Sequence, residues 1–256
     1  MLGPAMLQNR RLTGVVLLLL AWGLAGPVQA ACPALRIALD AGHSQARPGA
    51  RSASGLPEVE FNVALAEVVA AQLRTQGYTV LPINRHTEQL SLTERTRRAA
   101  AFKADLFVSL HHDSVQPRYL LPWLTPDGHA EHYSDRFAGY SLFISTAPAR
   151  AETAAASRTL AMQLGNALRA AGLTPTLHHA EPIPGEGRKL LDAERGIYRF
   201  DELVVLRSAT MPAVLLEAGV IVNRAEEARL RQPAYRQRIA EAISAALHAY
   251  CAGMRP

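Results

Sequence analysis

The chain runs to 256 residues, 49% of them hydrophobic, with a formal net charge of +5. That length suffices for one domain with a sizeable core, and no composition shift, low-complexity linker or internal repeat divides it. The mild basic excess comes without a run of Lys or Arg beside aromatic residues, so nothing argues for nucleic acid as a partner.

Residues 1–30 read as a leader. Arg10 and Arg11 precede an apolar run from Val15 to Ala25, and Val28-Gln29-Ala30 offers small residues for cleavage, the layout of a secretory signal peptide. The run is short for a membrane span, and Leu12-Thr13-Gly14 matches a twin-arginine signal poorly. Ordinary export, to the periplasm or beyond, is the expectation. Loss of Arg10 and Arg11 takes the charge from +5 to +3 for residues 31–256. Cys32 and Cys251 then stand near the two ends of the chain, where an oxidising compartment favours a disulfide. In the loop-entropy model so long a loop contributes up to ~5 kcal/mol. Gln29-Ala30-Ala31-Cys32 lacks the aliphatic residue of a lipid-attachment box, so no lipid is expected on Cys32.

Hydrophobic periodicity predicts a strand over residues 35–40, a long helix over 57–76, a short strand over 78–81 and a helix over 92–102. Strands follow over 105–111 and 140–145, then a helix over 153–171 closed by Gly172. A strand over 211–217 and helices over 224–230 and 235–250 complete the chain. Residues 115–139 and 174–196 are rich in Pro, Gly and polar residues and read as long surface loops. Strand and helix alternate, which predicts a single α/β domain with helices on both faces of a largely parallel sheet.

Three of these strands stop at ionisable residues: IALDAGH at His43, LFVSLHH at His111 and His112, and AVLLE at Glu217. In open α/β sheets the ligand site lies beyond the carboxyl ends of the strands, so three such ends can converge on one crevice. The long helix adds a fourth candidate. At 100° per residue, Glu58 points with Asn62, Leu65, Val69 and Leu73 toward the core, whereas Glu60 points with Glu67 and Arg74 toward water. A carboxylate aimed into a core must be paired or bound to metal, because burying it alone costs several kcal/mol. Two imidazoles and one carboxylate form the ligand set of a catalytic zinc site, and Glu217 supplies a candidate base.

These residues sit in a recognisable order. LDAGHS with Pro48-Gly49-Ala50, PEVEFNVALA, LFVSLHHDS and VLRSATMPAVLLEAGVIVN resemble the landmarks of the zinc-dependent N-acetylmuramoyl-L-alanine amidases of bacterial cell walls, of the cell-division amidase type. The resemblance runs over residues 35–250. It implies a mixed sheet of about six strands, one Zn2+ per chain held by His43, Glu58 and His111, and Glu217 as the catalytic glutamate. His112 follows the second zinc histidine, where the family is normally small, and is a neighbour on this reading. Val59 and Ser44 also depart from the family pattern, without removing a catalytic group. The implied reaction is hydrolysis of the amide joining N-acetylmuramic acid to L-alanine in peptidoglycan. Asp40 and Asp113 are candidates to orient a ligating imidazole, as carboxylates do around zinc, although either can equally cap a loop.

Other readings fit less well. No His-Glu pair occurs, so there is no His-Glu-x-x-His protease helix, and no Gly-x-Ser-x-Gly offers a serine nucleophile. His129 and His132 fall in a predicted loop, as do His178 and His179, and all four read as surface histidines, the last two near a substrate groove. Gly185-Glu186-Gly187 reads as a turn. A zinc peptidase cutting elsewhere in the stem peptide shares the same chemistry, and a non-catalytic wall-binding module would share the fold. Several members of the resembled family are held inactive by a helix over the zinc until an activator protein binds. Neither 115–139 nor 174–196 shows a long amphipathic pattern for such a lid, so a monomer active on its own is expected, with an activator protein as the alternative partner.

Overall fold

The computed structural model describes residues 35–85, 89–147 and 151–253, besides residues 1 and 3; the expected leader and Cys32 lie outside them. The residues from Leu35 onward belong to one compact unit, Cys32–Pro256. Among the described residues no helix is long and apolar enough to cross a membrane.

Strand β1 (Arg36–Ala41) leads through α1 (Glu58–Thr75) to β2 (Thr79–Ile83), and α2 (Leu92–Ala101) leads to β3 (Leu106–Asp113). After β4 (Leu121–Leu124), β5 (Ala130–Tyr133) and β6 (Ser141–Ile144) comes α3 (Ala151–Ala170). The chain ends with β7 (Lys189–Asp192), β8 (Ile197–Arg199), α4 (Val204–Ser208), β9 (Ala213–Val220), α5 (Arg224–Leu230) and α6 (Pro233–Ala252). Seven strands form one sheet in the order β2-β1-β3-β9-β6-β8-β7, while β4 and β5 pair as a separate hairpin. The β2-β1-β3-β9 half is parallel, and β6 enters antiparallel to β9.

The continuous apolar runs of β1, β3 and β9 follow from burial on both faces. Ile37, Leu39, Val108, Leu110, Val214 and Leu216 pack beneath α1, α3 and α6. Their alternate neighbours Ala38, Phe107, Ala213 and Leu215 pack beneath α2 and α4 on the other face. By the same period of two, His111 and Glu217 point to the α2/α4 face, and the register sets them side by side on adjacent strands.

The sheet has seven strands where about six were expected. The additional strands β7 and β8 lie inside residues 174–196 and just beyond, and the β4-β5 hairpin lies inside 115–139. All four are three or four residues long, too short to show a period. Strand β9 also continues three residues past Glu217. Gly219 permits this, since a side chain there would press on Leu230 and Glu226 of α5. Cys251 is buried in α6 and is not a free thiol.

His112 points from β3 to the opposite face from His111. It is buried, its Nδ1 2.8 Å from Asn62 Oδ1 and its ring 5.6 Å from Phe61. Burial strips water from the ring and pushes its pKa down to about 3. A histidine depressed in the folded state stabilises the fold above the ordinary value of 6.5 and loses that contribution as pH falls toward 3. Between pH 7 and pH 5 the loss amounts to about 2 kcal/mol. In urea unfolding at those two pH values, His112→Gln is expected to remove that share of the acid destabilisation; an unchanged pH difference refutes the assignment.

Candidate active site

The chain leaves β1 at Ala41 and turns immediately. Gly42 N–H donates to Leu110 O at 2.9 Å, keeping the turn against β3, and His43 takes φ of 66°, a left-handed conformation uncommon outside glycine. Such a residue costs roughly 1–2 kcal/mol and persists only when its surroundings hold it. Arg95, on α2 and 2% exposed, donates to Ala41 O at 2.8 Å and to His43 O at 2.5 Å. Asn84 donates to the same two carbonyls. Asp40 Oδ1 pairs with Arg95 at 2.9 Å, and Ser109 Oγ donates to Asp40 Oδ2 at 2.8 Å. Asp40 therefore hydrogen-bonds neither candidate ligand; it anchors the arginine that clamps the turn.

Glu58 opens α1 and is 4% exposed, while Glu60 is exposed, as the helical phase predicts. Its Oε2 lies 2.9 Å from His43 Nε2 and its Oε1 lies 3.0 Å from His111 Nδ1. Asn62 Nδ2 donates to Oε1 at 3.0 Å and the Ala50 and His112 backbone N–H groups donate at 3.2 Å each. The Glu58 carboxylate and the Gly42 carbonyl can only accept, which fixes the Asn62 Nδ2 toward them and leaves its Oδ1 facing His112 Nδ1 at 2.8 Å. Burial alone would push the Glu58 carboxyl up, but hydrogen bonds from His111 and His43 outweigh it and hold it well below the usual carboxylate range. For His43 burial would push the ring down, and Glu58 reverses this. Two glycines clear the space: a side chain on Gly42 would collide with the His111 ring, and one on Gly49, at φ of 81°, with Glu58.

The donor set suits a metal. One ligand atom from each of His43, Glu58 and His111 lies within 4.8 Å of the others. Glu58 brings a negative charge, and its remaining hydrogen bonds fix its orientation, as surrounding groups do for metal-ligating carboxylates.

Glu217 stands beside this trio, opposite His111 in the β3-β9 register. It shares with His43 and His111 the wall of a cavity of about 920 Å3 whose apolar lining includes Leu90, Leu203, Val205 and Leu215. Its Oε2 is enclosed and has no hydrogen-bond partner. Burial, followed by the negative charges of Asp113 and Glu58, raises the Glu217 carboxyl well above its ordinary value.

Asp113 does not reach His43 or His111 but meets a different pair. Its Oδ2 lies 2.7 Å from His179 Nε2 and 3.3 Å from His178 Nε2. The reading of His178 and His179 as surface residues is thus corrected: His178 is 2% exposed, and Phe137 stacks on it with ring centroids 4.9 Å apart. The apolar partners of this loop lie far away in sequence, so no local pattern marks its burial. His129 and His132 are exposed, as expected, although His132 lies on β5 and not in a loop.

Comparison with known proteins places this arrangement. The family model described as N-acetylmuramoyl-L-alanine amidase matches residues 37–249. The chain belongs to this amidase family. It is 26% identical over 223 residues to the N-acetylmuramoyl-L-alanine amidase AmiC of Neisseria meningitidis, covering 84% of this chain and 52% of that protein. It is 28% identical over 233 residues to the YqiI protein of Bacillus subtilis, covering 90% and 93% of the two chains. The fold matches the crystal structure of the N-acetylmuramyl-L-alanine amidase Ami1 from Mycobacterium smegmatis with a TM-score of 0.67 at 21% identity, covering 86% of this chain and 98% of that one. The chain thus spans about half the length of AmiC.

Within this amidase frame the three departures noted from the sequence are all accommodated. Val59 is fully buried, Ser44 is buried in the turn and bridged to Arg47, and His112 is spent on Asn62. The turn clamp yields a test. Arg95→Ala leaves Asp40 buried without its cation and leaves Asn84 as the remaining donor to the His43 carbonyl, and breaking a buried pair in this way costs about 3–5 kcal/mol. Urea unfolding is expected to show that loss; a change below about 1 kcal/mol would show that the clamp does not hold the turn.

Proposed function

We propose that this protein is exported and hydrolyses the amide between N-acetylmuramic acid and L-alanine in peptidoglycan, with His43, Glu58 and His111 holding Zn2+ and Glu217 acting as general base and then acid. The observation that carries the reading is the side-by-side register of Glu217 and His111 on the wall of one cavity. Zinc, when bound, supplies Lewis acidity that polarises a carbonyl and acidifies water.

Glu217 takes a proton from the attacking water at its unpartnered Oε2 and returns it to the leaving nitrogen of L-alanine. Its raised pKa suits the second half of that exchange, in which the carboxyl delivers the proton. Glu58 takes the opposite role: it is held ionised by its two imidazole neighbours and keeps its charge throughout. The lactyl and alanyl groups flanking the scissile amide each carry a methyl, which suits the apolar wall of Leu203, Val205 and Leu215. Exposed Arg47 at the same cavity offers a cation for the carboxylates of the stem peptide.

Among the described residues, neither 115–139 nor 174–196 contains a helix longer than three residues; activity without an activator is part of the proposal, with an activator protein as the alternative. Pairing of Cys251 with Cys32 is part of the same proposal, since the sequence holds only those two cysteines.

Purified protein incubated with peptidoglycan is expected to release stem peptides that begin with a free L-alanine amine, and a chelator is expected to stop it. Mass spectrometry of the products decides: cleavage within the stem peptide points to a peptidase, and no cleavage at any bond points to a binding module. Glu217→Gln is expected to keep its metal and lose turnover by ~10²–10⁴-fold; full activity in that variant would falsify the role of Glu217. Glu58→Ala is expected instead to lose the ion from this site, read as metal per chain by elemental analysis.

A further inference from the structure

A second group of metal-ligating side chains includes Asp113, two residues after His111 on β3. Asp113, His178 and His179 bring one ligand atom each within 4.8 Å of the others. From these atoms we infer that the chain carries a second metal site, in which Asp113 Oδ2, His178 Nε2 and His179 Nε2 hold a first-row divalent cation such as Zn2+.

His178 Nε2 is buried and, although Asp113 Oδ2 is only 3.3 Å away, makes no hydrogen bond. Leaving a buried polar atom unsatisfied is destabilising. A cation between the three ligand atoms satisfies His178 Nε2 directly.

The surroundings are those of a built site. A ligating imidazole ordinarily bonds its other nitrogen to an outer group that fixes the ring and its tautomer. Both rings do this: His178 Nδ1 lies 2.9 Å from Thr176 Oγ1 and His179 Nδ1 lies 3.0 Å from Glu186 Oε2. Glu186 is held in turn by Gln116 Nε2 at 2.8 Å. The rings are tilted by 35° with centroids 4.0 Å apart, so both Nε2 atoms face the same carboxylate. Bonds of about 2.0–2.1 Å in a tetrahedron put ligand atoms roughly 3.3 Å apart. The His178–Asp113 spacing of 3.3 Å already has that value, and the 2.7 Å spacing to His179 needs to open by about 0.6 Å to reach it.

Two imidazoles and one carboxylate favour a borderline ion of the first transition row over magnesium or calcium, which prefer oxygen-only shells. His179 is 11% exposed, which leaves an approach from solvent on its side. The ligands come from two elements: Asp113 ends β3, and His178 and His179 lie in the segment between α3 and β7. An ion there would staple that segment to the strand that carries His111, a structural role separate from the hydrolysis proposed above.

The test counts zinc in the full-length protein after removal with chelator, reloading with Zn2+ and dialysis, by elemental analysis. The Glu58→Ala chain is expected to retain one ion, and adding His178→Gln is expected to remove it. A Glu58→Ala chain that binds no zinc, or one whose ion survives His178→Gln, overturns the second site and leaves the amidase reading untouched. Two ions in Glu58→Ala, of which His178→Gln removes one, would support the second site and count instead against Glu58 as a ligand. Misfolding is separated by melting: Zn2+ is expected to raise the Tm of Glu58→Ala, and His178→Gln is expected to keep a cooperative melt but lose that rise. A zinc-dependent rise that persists in the double variant refutes the proposal.

Discussion

The site depends on one buried carboxylate. Glu58 starts α1, yet its two oxygens contact residues from two other places, His43 beyond the end of β1 and His111 on β3. A lone carboxylate at 4% exposure would be driven to its neutral form. The two imidazoles, Asn62 and two backbone N–H groups keep it charged, and in doing so fix where α1 begins relative to the sheet. Gly42 and Gly49 are required by the same contact, because any side chain at either position would enter the space that the trio occupies.

The second constraint is on the backbone, since His43 reaches Glu58 only from a left-handed turn. That conformation is held by a buried cation, Arg95, whose own charge is balanced by Asp40 from the strand just before the turn. The arrangement is closed: the strand supplies the anion, α2 the cation, and the carbonyls of Ala41 and His43 the remaining acceptors. Burying such a pair is rarely stabilising in itself. Its value here is that it specifies one geometry for a residue that would otherwise relax.

Much of this was readable in the sequence because it follows from period. Glu58 was separable from Glu60 by helical phase alone, and the strand–helix alternation identified the sheet and its crevice. What stayed hidden lacks a period or depends on distant partners. Strands β7 and β8 are too short to alternate visibly, and β9 passes Glu217 where Gly219 leaves room for α5. The role of Asp40 stays open in the sequence because its partner, Arg95, lies 55 residues away on another element. The burial of His178 and His179 was missed for the same reason: Phe137, Phe143 and Asp113, which enclose them, belong to other elements.

Two glutamates within one site are pushed in opposite directions, and the cause lies in what surrounds each. Glu58 is ringed by donors, so its charge is stabilised despite burial. Glu217 has an oxygen with no donor and lies within reach of the charges of Asp113 and Glu58, so each of its surroundings favours the proton. Carboxylates separated in this way divide holding from proton transfer, the general pattern by which one site runs acid and base chemistry near neutral pH. The division depends on register. A slip of one residue between β3 and β9 would turn Glu217 to the α1 face, among Val214 and Leu216, and leave His111 beside an apolar side chain. The apolar alternation that buries β9 is therefore also what keeps the proton-carrying oxygen beside the histidine it is proposed to serve.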